Sequence, residues 1–409
     1  MRKNGDLNMW IINDFNRWHK KGRIINKNVI KLNISNKNIK KLGNLENLVN
    51  LRNLDCSKNK LTSLKGIENF NSLLFLEELY CRENQLTSLE GIENLVNLQK
   101  LDCSNNQLTS LEGIENLVNL EILYCFNNQL TSLEGIENLT NMKTLYCFNN
   151  QLTSLEGIEN LVNLELLLCE CNQLTSLKEM EKLINLKILR CEYNQLTSLK
   201  GMEKLINLKI LRCEYNQLTS LEGLEGLEGL ENLTNLEELH CRNNQLTSLE
   251  GIENLNNLIY LDCYNNQLTS LKGIENLTNL RELHCMKNQL TSLEGIENLN
   301  NLIYLNCHYN QLTSLEGIEN LVKLIKNNKQ IKNRIEYTFI DSDDYIELNN
   351  LFRNLIKRDD YIKFNNSFWN LIVYDNYIIE CDDNKIDENI KNIEKNIKEL
   401  NGFQKYVLK

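Results

Sequence analysis

Fourteen cysteines fall along this 409-residue chain, and most keep one interval. Cys81, Cys103, Cys125, Cys147, Cys169, Cys191 and Cys213 follow one another at 22 residues, as do Cys241, Cys263, Cys285 and Cys307. Thiols so placed could bind a metal, form disulfides, act as nucleophiles or simply pack. Zinc prefers two ligands on one tight turn, whereas these thiols come one per unit and only Cys169 and Cys171 lie close together. Disulfides between neighbouring units need side chains that face each other, and in-register parallel side chains point the same way. An upstream unit carries Leu32 and Ile34 where later units carry Leu and Cys. An aliphatic group replaces the thiol in that slot, which assigns the cysteines to the core as small apolar side chains.

A second constellation is His240, Asp262 and His284 on successive units, with His308 nearby. Two imidazole nitrogens and a carboxylate are a plausible donor set for a divalent ion. The favoured reading is a mixed polar face in which His and Asp alternate to avoid like-charge stacking. No nucleophile or second acid stands beside them, so neither catalytic residues nor metal ligands nor a cofactor are assigned.

The elements that position these residues follow from the interval. Leu98, Leu101, Cys103, Asn106, Leu108, Leu111, Ile114 and Leu117 occupy positions 1, 4, 6, 9, 11, 14, 17 and 20 of one unit. Around positions 3 to 7 alternation predicts a short strand with Leu101 and Cys103 inward and Lys100, Asp102 and Ser104 outward. Stacked in parallel, such strands make one long sheet whose units contact only their neighbours. Asn106 and its equivalents from Asn84 to Asn310 are placed to bond loop amides that no strand satisfies. Gly113 and its equivalents suit a positive φ or a close backbone approach.

Three regions result: an N-terminal helical cap at 1–28, a solenoid at 29–324 and a mainly helical capping or docking region at 325–409. Met9, Trp10, Ile11, Ile12, Phe15 and Trp18 have near-helical spacing. Beyond Leu324, Leu348, Leu351, Phe352, Leu355 and Ile356, and later Ile386, Ile390, Ile393, Ile397 and Leu400, suggest further helices. Two joints lengthen the interval, to 25 residues between Cys56 and Cys81 and 28 between Cys213 and Cys241. Both fall outside the strand segments and are expected to bulge on the convex side.

Composition narrows the partners. A formal charge of -10 argues against nucleic acid, which needs clustered Lys and Arg. No run of about 18 uncharged apolar residues suggests a membrane span, and the opening stretch lacks a signal-peptide core. The expectation is a cytoplasmic, non-secreted protein with no small-molecule substrate. The absence of Pro and Ala beside abundant Asn, Lys, Ile and Leu reads as A+T-rich codon usage.

The unit "LxxLxCxxNQLTSLEGIENLxN" resembles the 22-residue class of leucine-rich repeats, as in a phosphatase-1 regulatory subunit and the internalins. Its "CxxNQLTSL" variant is similar to leucine-rich repeat proteins of giant DNA viruses. The resemblance implies an α/β repeat solenoid, a horseshoe with a parallel concave β-sheet and a 3-10 or short-helix convex side. It implies a non-enzymatic protein-interaction scaffold, acting in host cytoplasm if viral. A phosphatase modulator is the alternative. A third reading comes from bacterial leucine-rich effectors that ligate ubiquitin through a Cys followed two residues later by Asp, here Cys381 and Asp383. Asp382 and Asp383 carry the wrong sign to activate that thiol.

The outward strand residues hold the functional signal. Ile122, Tyr124 and Phe126, then Tyr146 and Phe148, then Leu166 and Leu168 are apolar on a face that folding does not require to be so. They are expected to form one patch that anchors a protein or peptide partner. Ile188, Arg190, Glu192 and Tyr193, then Ile210, Arg212, Glu214 and Tyr215, should supply its polar rim.

Overall fold

A computed structural model describes residues 2–3, 9–11, 29–42, 48–65, 67, 75–221, 230–307 and 309–312. Its strands form a 15-stranded sheet in chain order. Most are three residues long with the middle side chain buried, as in Ile122–Tyr124 and Ile188–Arg190. From Met9–Ile11 onward the pairs are parallel and in register, so Leu101, Leu123, Leu145 and Leu167 form one inward column. That column and the cysteine column beside it are buried along the array, as the alternation predicts.

The turn side carries almost none of the expected 3-10 or short-helix structure. Among the described residues there is no α-helix, and Lys178–Met180 and Leu230–Asn232 wind into 3-10 turns. Elsewhere the chain bends every three residues: Ile114, Leu117 and Leu120 each donate a backbone N–H to the carbonyl three residues before, at 3.3, 2.9 and 2.8 Å. Those bends turn one residue in three inward, which is why Leu111, Ile114, Leu117 and Leu120 are apolar and buried. The described array is therefore a β-solenoid closed by turns rather than an α/β one.

The N-terminus also differs. Met9–Ile11 is a strand, with Trp10 opposite Leu32, and Arg2–Lys3 pairs antiparallel to it. A helix over the first rung would leave its edge N–H and C=O groups unpaired, whereas a strand satisfies them. The signal was in the sequence: Leu7, Trp10 and Ile12 precede Val29, Leu32 and Ile34 by 22 residues. Ile12, Phe15 and Trp18, the rest of the proposed cap and the region 325–409 lie outside the described residues.

Across the two joints pairing stays in register, Leu54 with Leu79 and Leu211 with Leu239. The added residues thus leave the sheet uninterrupted. Residues 222–229, which carry most of the second insertion, lie outside the described residues.

The asparagine ladder ties successive turns together. Asn150 Nδ2 donates to the carbonyls of Cys125 at 3.1 Å and Cys147 at 3.0 Å, and its Oδ1 accepts from the Leu130 amide at 3.0 Å. The pattern repeats from Asn59 to Asn310 and spans the 28-residue joint, where Asn244 reaches the carbonyls of Cys213 and Cys241. Each Asn satisfies three backbone groups that neither turn nor strand pairs. Replacing Asn150 by Ala is expected to cost about 2 to 4 kcal/mol, because it leaves several buried backbone groups unpaired. Asn149→Gly, which keeps the left-handed backbone at the neighbouring position, should stay within about 1 kcal/mol. Denaturant midpoints of the two variants against wild type would measure the difference.

Candidate functional site on the outer face of the sheet

The cysteines are not the site. Twelve of the thirteen described thiols are buried, and only Cys171 is exposed. Cys103 Sγ donates to the Tyr124 carbonyl at 3.4 Å and Cys191 Sγ to the Arg212 carbonyl at 3.3 Å, so these thiols hydrogen-bond to the next rung. Burial pushes these thiols well up, Cys307 to about 12, which keeps them protonated and inert. Cys381 and Asp383 lie outside the described residues.

The apolar residues do come together on the outer face. Tyr124 and Tyr146 are partners in register, with ring centroids 4.7 Å apart. Phe126 and Phe148 stack at 4.4 Å with an interplanar angle of 9°. Ile122 and Leu166 continue the patch, separated by Thr144 in the same column. The rings cover one another and stand half-buried. Leu168 is a correction: it is 9% exposed, lying between Tyr146 and Arg190 in its column, and so supports the patch rather than presenting a surface.

The expected polar rim is partly internal. Glu192 is 5% exposed and Glu214 3%, with Glu170 beside them in the same column. Arg190 donates to Glu192 at 2.8 Å and lies 3.7 Å from Glu170, while Arg242 Nε is 3.8 Å from Glu214. One oxygen of each of the three carboxylates, Oε2, has no hydrogen-bond partner. Burial raises the Glu170 carboxyl and lifts Glu214 to about 7, with Glu192 adding repulsion and the arginines opposing it. Ile188, Ile210 and Arg212 lie in register on the neighbouring strands, half-buried.

Farther along, the imidazoles interleave with tyrosines instead of converging. His240 stacks on Tyr260 at 4.6 Å, Tyr260 lies 5.2 Å from His284, and His284 lies 4.7 Å from Tyr304. Asp262 accepts the Tyr264 amide at 3.1 Å. Among the described residues no three His, Cys, Asp or Glu side chains could hold a metal ion. His308 lies outside the described residues. Burial holds His240 below its ordinary value, as does the positive charge of Arg212.

Position 8 of the unit is left-handed throughout: φ is 53° at Asn127, 58° at Asn149, 55° at Cys171, 55° at Tyr193 and 53° at Tyr215. Where the residue is Asn the side chains chain together, Asn127 to Asn105 at 2.8 Å and Asn149 to Asn127 at 2.6 Å. Tyr193 and Tyr215 interrupt that row, exposed at 49% and 39%, with rings stacked at 4.3 Å. The repeated Asn before the ladder Asn was the available signal, since Asn tolerates positive φ better than Tyr does.

The raised Glu214 fixes a pH response. Between its unfolded value of 4.5 and about 7, the folded chain keeps a proton that the unfolded chain releases, so stability falls as pH rises through that window. His240, lowered from 6.5, acts oppositely and loses its contribution as pH falls below 6.5. Glu214→Gln removes only the first effect. At pH 8 the variant should be more stable than wild type by about 1 to 3 kcal/mol, and at pH 5 the two should agree within about 1 kcal/mol. Denaturation midpoints at both pH values test this.

Comparison with known proteins agrees with this geometry. The family model for leucine-rich repeats in two copies matches residues 75–116, 118–160 and, in overlapping matches, 184–320. No curated protein sequence matches the chain. An internalin (inlF) from Listeria monocytogenes is similar in structure, with TM-score 0.65, 24% identity, and 76% of this chain and 87% of that chain covered. A leucine-rich repeat protein from Leptospira interrogans has TM-score 0.62 and 32% identity, over 76% of this chain and 84% of that one. The functional domain of InlJ from Listeria monocytogenes, which includes a cysteine ladder, has TM-score 0.52 and 24% identity, over 73% and 72%. Such repeats are generally non-enzymatic protein-interaction domains, and no helix among the described residues is long and apolar enough to cross a membrane. With its units matched over more than half its length and its strands stacked in register, the chain belongs to the leucine-rich repeat family.

Proposed function

We propose that this protein is a non-enzymatic scaffold that binds a protein or extended peptide on the concave, outer face of its sheet. The carrying observation is the pair of aromatic columns, Tyr124 with Tyr146 and Phe126 with Phe148, half-buried on the face that the core does not use. Tyr and Phe give large contact areas at small entropic cost, and a partner covering the rings would complete their desolvation. Ile122 and Leu166 extend the anchor, and Arg190, Arg212, Tyr193 and Tyr215 form its edge toward the C-terminal rungs. The family's general role as an interaction scaffold supports this reading.

The test is a pull-down from lysate of the natural host with wild type and a variant carrying Tyr124, Phe126, Tyr146 and Phe148 all as Ser. The outer face needs none of these rings for folding, so both should show the same far-ultraviolet spectrum. A prey protein held by wild type, lost by at least tenfold in the variant, and protecting strands 122–124 and 144–146 from hydrogen exchange is the expected result. Equal recovery by both proteins would refute the outer face as the binding surface.

A further inference from the structure

Resting on that reading, we propose that a cavity on the N-terminal side of the aromatic patch takes an acidic side chain of the same extended partner. Its carboxylate would pair with Lys100 and Arg82.

The cavity, of about 480 Å³ on the outer face, is lined by Tyr80, Tyr124, Arg82, Lys100 and Lys31 together with Asp55 and Asp102. It exists because short side chains stand between long ones. Asp102 lies in register between Tyr80 and Tyr124, and it is too short to fill the two-rung gap between their rings. Lys100 spans that gap, with its Nζ 5.2 Å from each ring centre. Two aromatic faces fix the position of the ammonium without giving it an anionic acceptor. Arg82 stands in its own column between Ser57 and Ser104, which are too small to stack on a guanidinium.

Charge favours an acidic occupant. Beside the cavity Arg52 pairs with Glu77 and Lys58 with Glu83, whereas among the described residues Lys31, Arg82 and Lys100 form no ion pair. The acids of the cavity are engaged by neutral donors instead. Asp55 accepts from Asn33 Nδ2 at 2.9 Å and from the Ser57 amide at 3.0 Å. Asp102 accepts from the Ser104 hydroxyl at 2.6 Å and its amide at 3.2 Å. These two carboxylates are the competing feature, since they would draw a base. Their depth decides against it: Asp102 is 5% exposed and Asp55 half-buried, while Arg82 is exposed and Lys100 half-buried. An incoming group therefore meets the cations first, and a carboxylate makes charge-assisted hydrogen bonds to both.

The spacing specifies the partner further. Rungs lie about 4.8 Å apart, so the Phe148 rung is about 10 Å from that of Lys100 and about 14 Å from that of Arg82. An extended segment rising about 3.3 Å per residue covers this in three or four residues. The matching segment therefore carries an aromatic or aliphatic residue and, three or four positions away, an aspartate or glutamate.

The experiment pans a displayed library of random dodecapeptides on the immobilised full chain at pH 7.5. Wild type is compared with Arg82→Gln/Lys100→Gln and with Phe126→Ser/Tyr146→Ser/Phe148→Ser, the latter leaving Tyr124 against Lys100. Peptides enriched on wild type should combine an apolar anchor with Asp or Glu at that spacing, and replacing this acid by its amide should weaken binding about fivefold or more. On the Gln variant the acidic preference should vanish while apolar enrichment persists. Salt at about 0.5 M should weaken binding of the acidic peptide to wild type more than to the Gln variant, as screening of an ion pair requires. Apolar peptides with no acidic preference, with a base in its place, or with an acidic preference that survives on the Gln variant would overturn this inference and leave the aromatic anchor standing. Peptides insensitive to the three Ser changes would overturn the anchor instead, and no enrichment over an unrelated protein would overturn both.

Discussion

In this fold each side chain meets the side chain of the same unit position about 4.8 Å away on the rungs above and below. A residue type is therefore acceptable only if it can stack on itself or on its replacement. Leu does so by packing and Asn by bonding across turns. Cys does so because its small thiol is apolar and also donates to the next rung's carbonyl, as Cys125 does to Tyr146 at 3.5 Å. Gly113, at φ 104°, meets the same constraint from the backbone side, since its amide is held by Glu115 in a conformation that side chains disfavour, and at the equivalent Gly273 an added Cβ would meet the Leu249 carbonyl at 2.7 Å. The cysteines thus recur for the reason the leucines do.

Charge is the hardest thing to stack, and the outer face shows how the array handles it. Along the sheet margin opposite charges pair between rungs: Lys143 meets Glu121 at 2.8 Å, Lys187 meets Glu165 at 2.7 Å and Lys209 meets Glu237 at 2.7 Å. Exposed pairs of this kind are each worth under about 1 kcal/mol, so they maintain compatibility more than they stabilise. The column of Glu170, Glu192 and Glu214 stacks like charges, and burial, with a smaller repulsion from Glu192, drives Glu170 and Glu214 toward protonation.

The core was legible because its signals are periodic and local. The cysteine slot, the leucine columns and the asparagine ladder each follow from a residue type at a fixed place in the unit, and each stands where the spacing put it. The N-terminal strand was missed because Met9, Trp10 and Ile11 satisfy two periods at once, and the open sheet edge decided between them. Alternation correctly placed Leu168, Glu192 and Glu214 on the outer side. It could not show that the neighbouring long side chains would bury them there. The left-handed column was hidden because Cys171, Tyr193 and Tyr215 are types that do not advertise positive φ; only alignment with Asn127 and Asn149 shows it.

Residues that fit the shared pattern report on folding, so those that depart from it at some cost are the informative ones. Tyr at φ near 55° is a poorer choice than the Asn of neighbouring units, and a buried carboxylate with an unpaired oxygen is a poorer choice than the Ser or Phe found in its column. The two departures coincide on the rungs of Arg190 and Arg212, directly beside the rungs where aromatic rings replace polar residues, whereas Tyr309 shows the left-handed Tyr alone. Duplication of "LRCEYNQLTSLK" accounts for the identity of those two rungs. It does not account for Glu170 and Cys171 beginning the same departure one rung earlier in a different sequence. The stretch from Ile122 to Arg242 has thus exchanged self-compatibility for outward rings and incompletely paired charge, departures that the stacking of the core does not require.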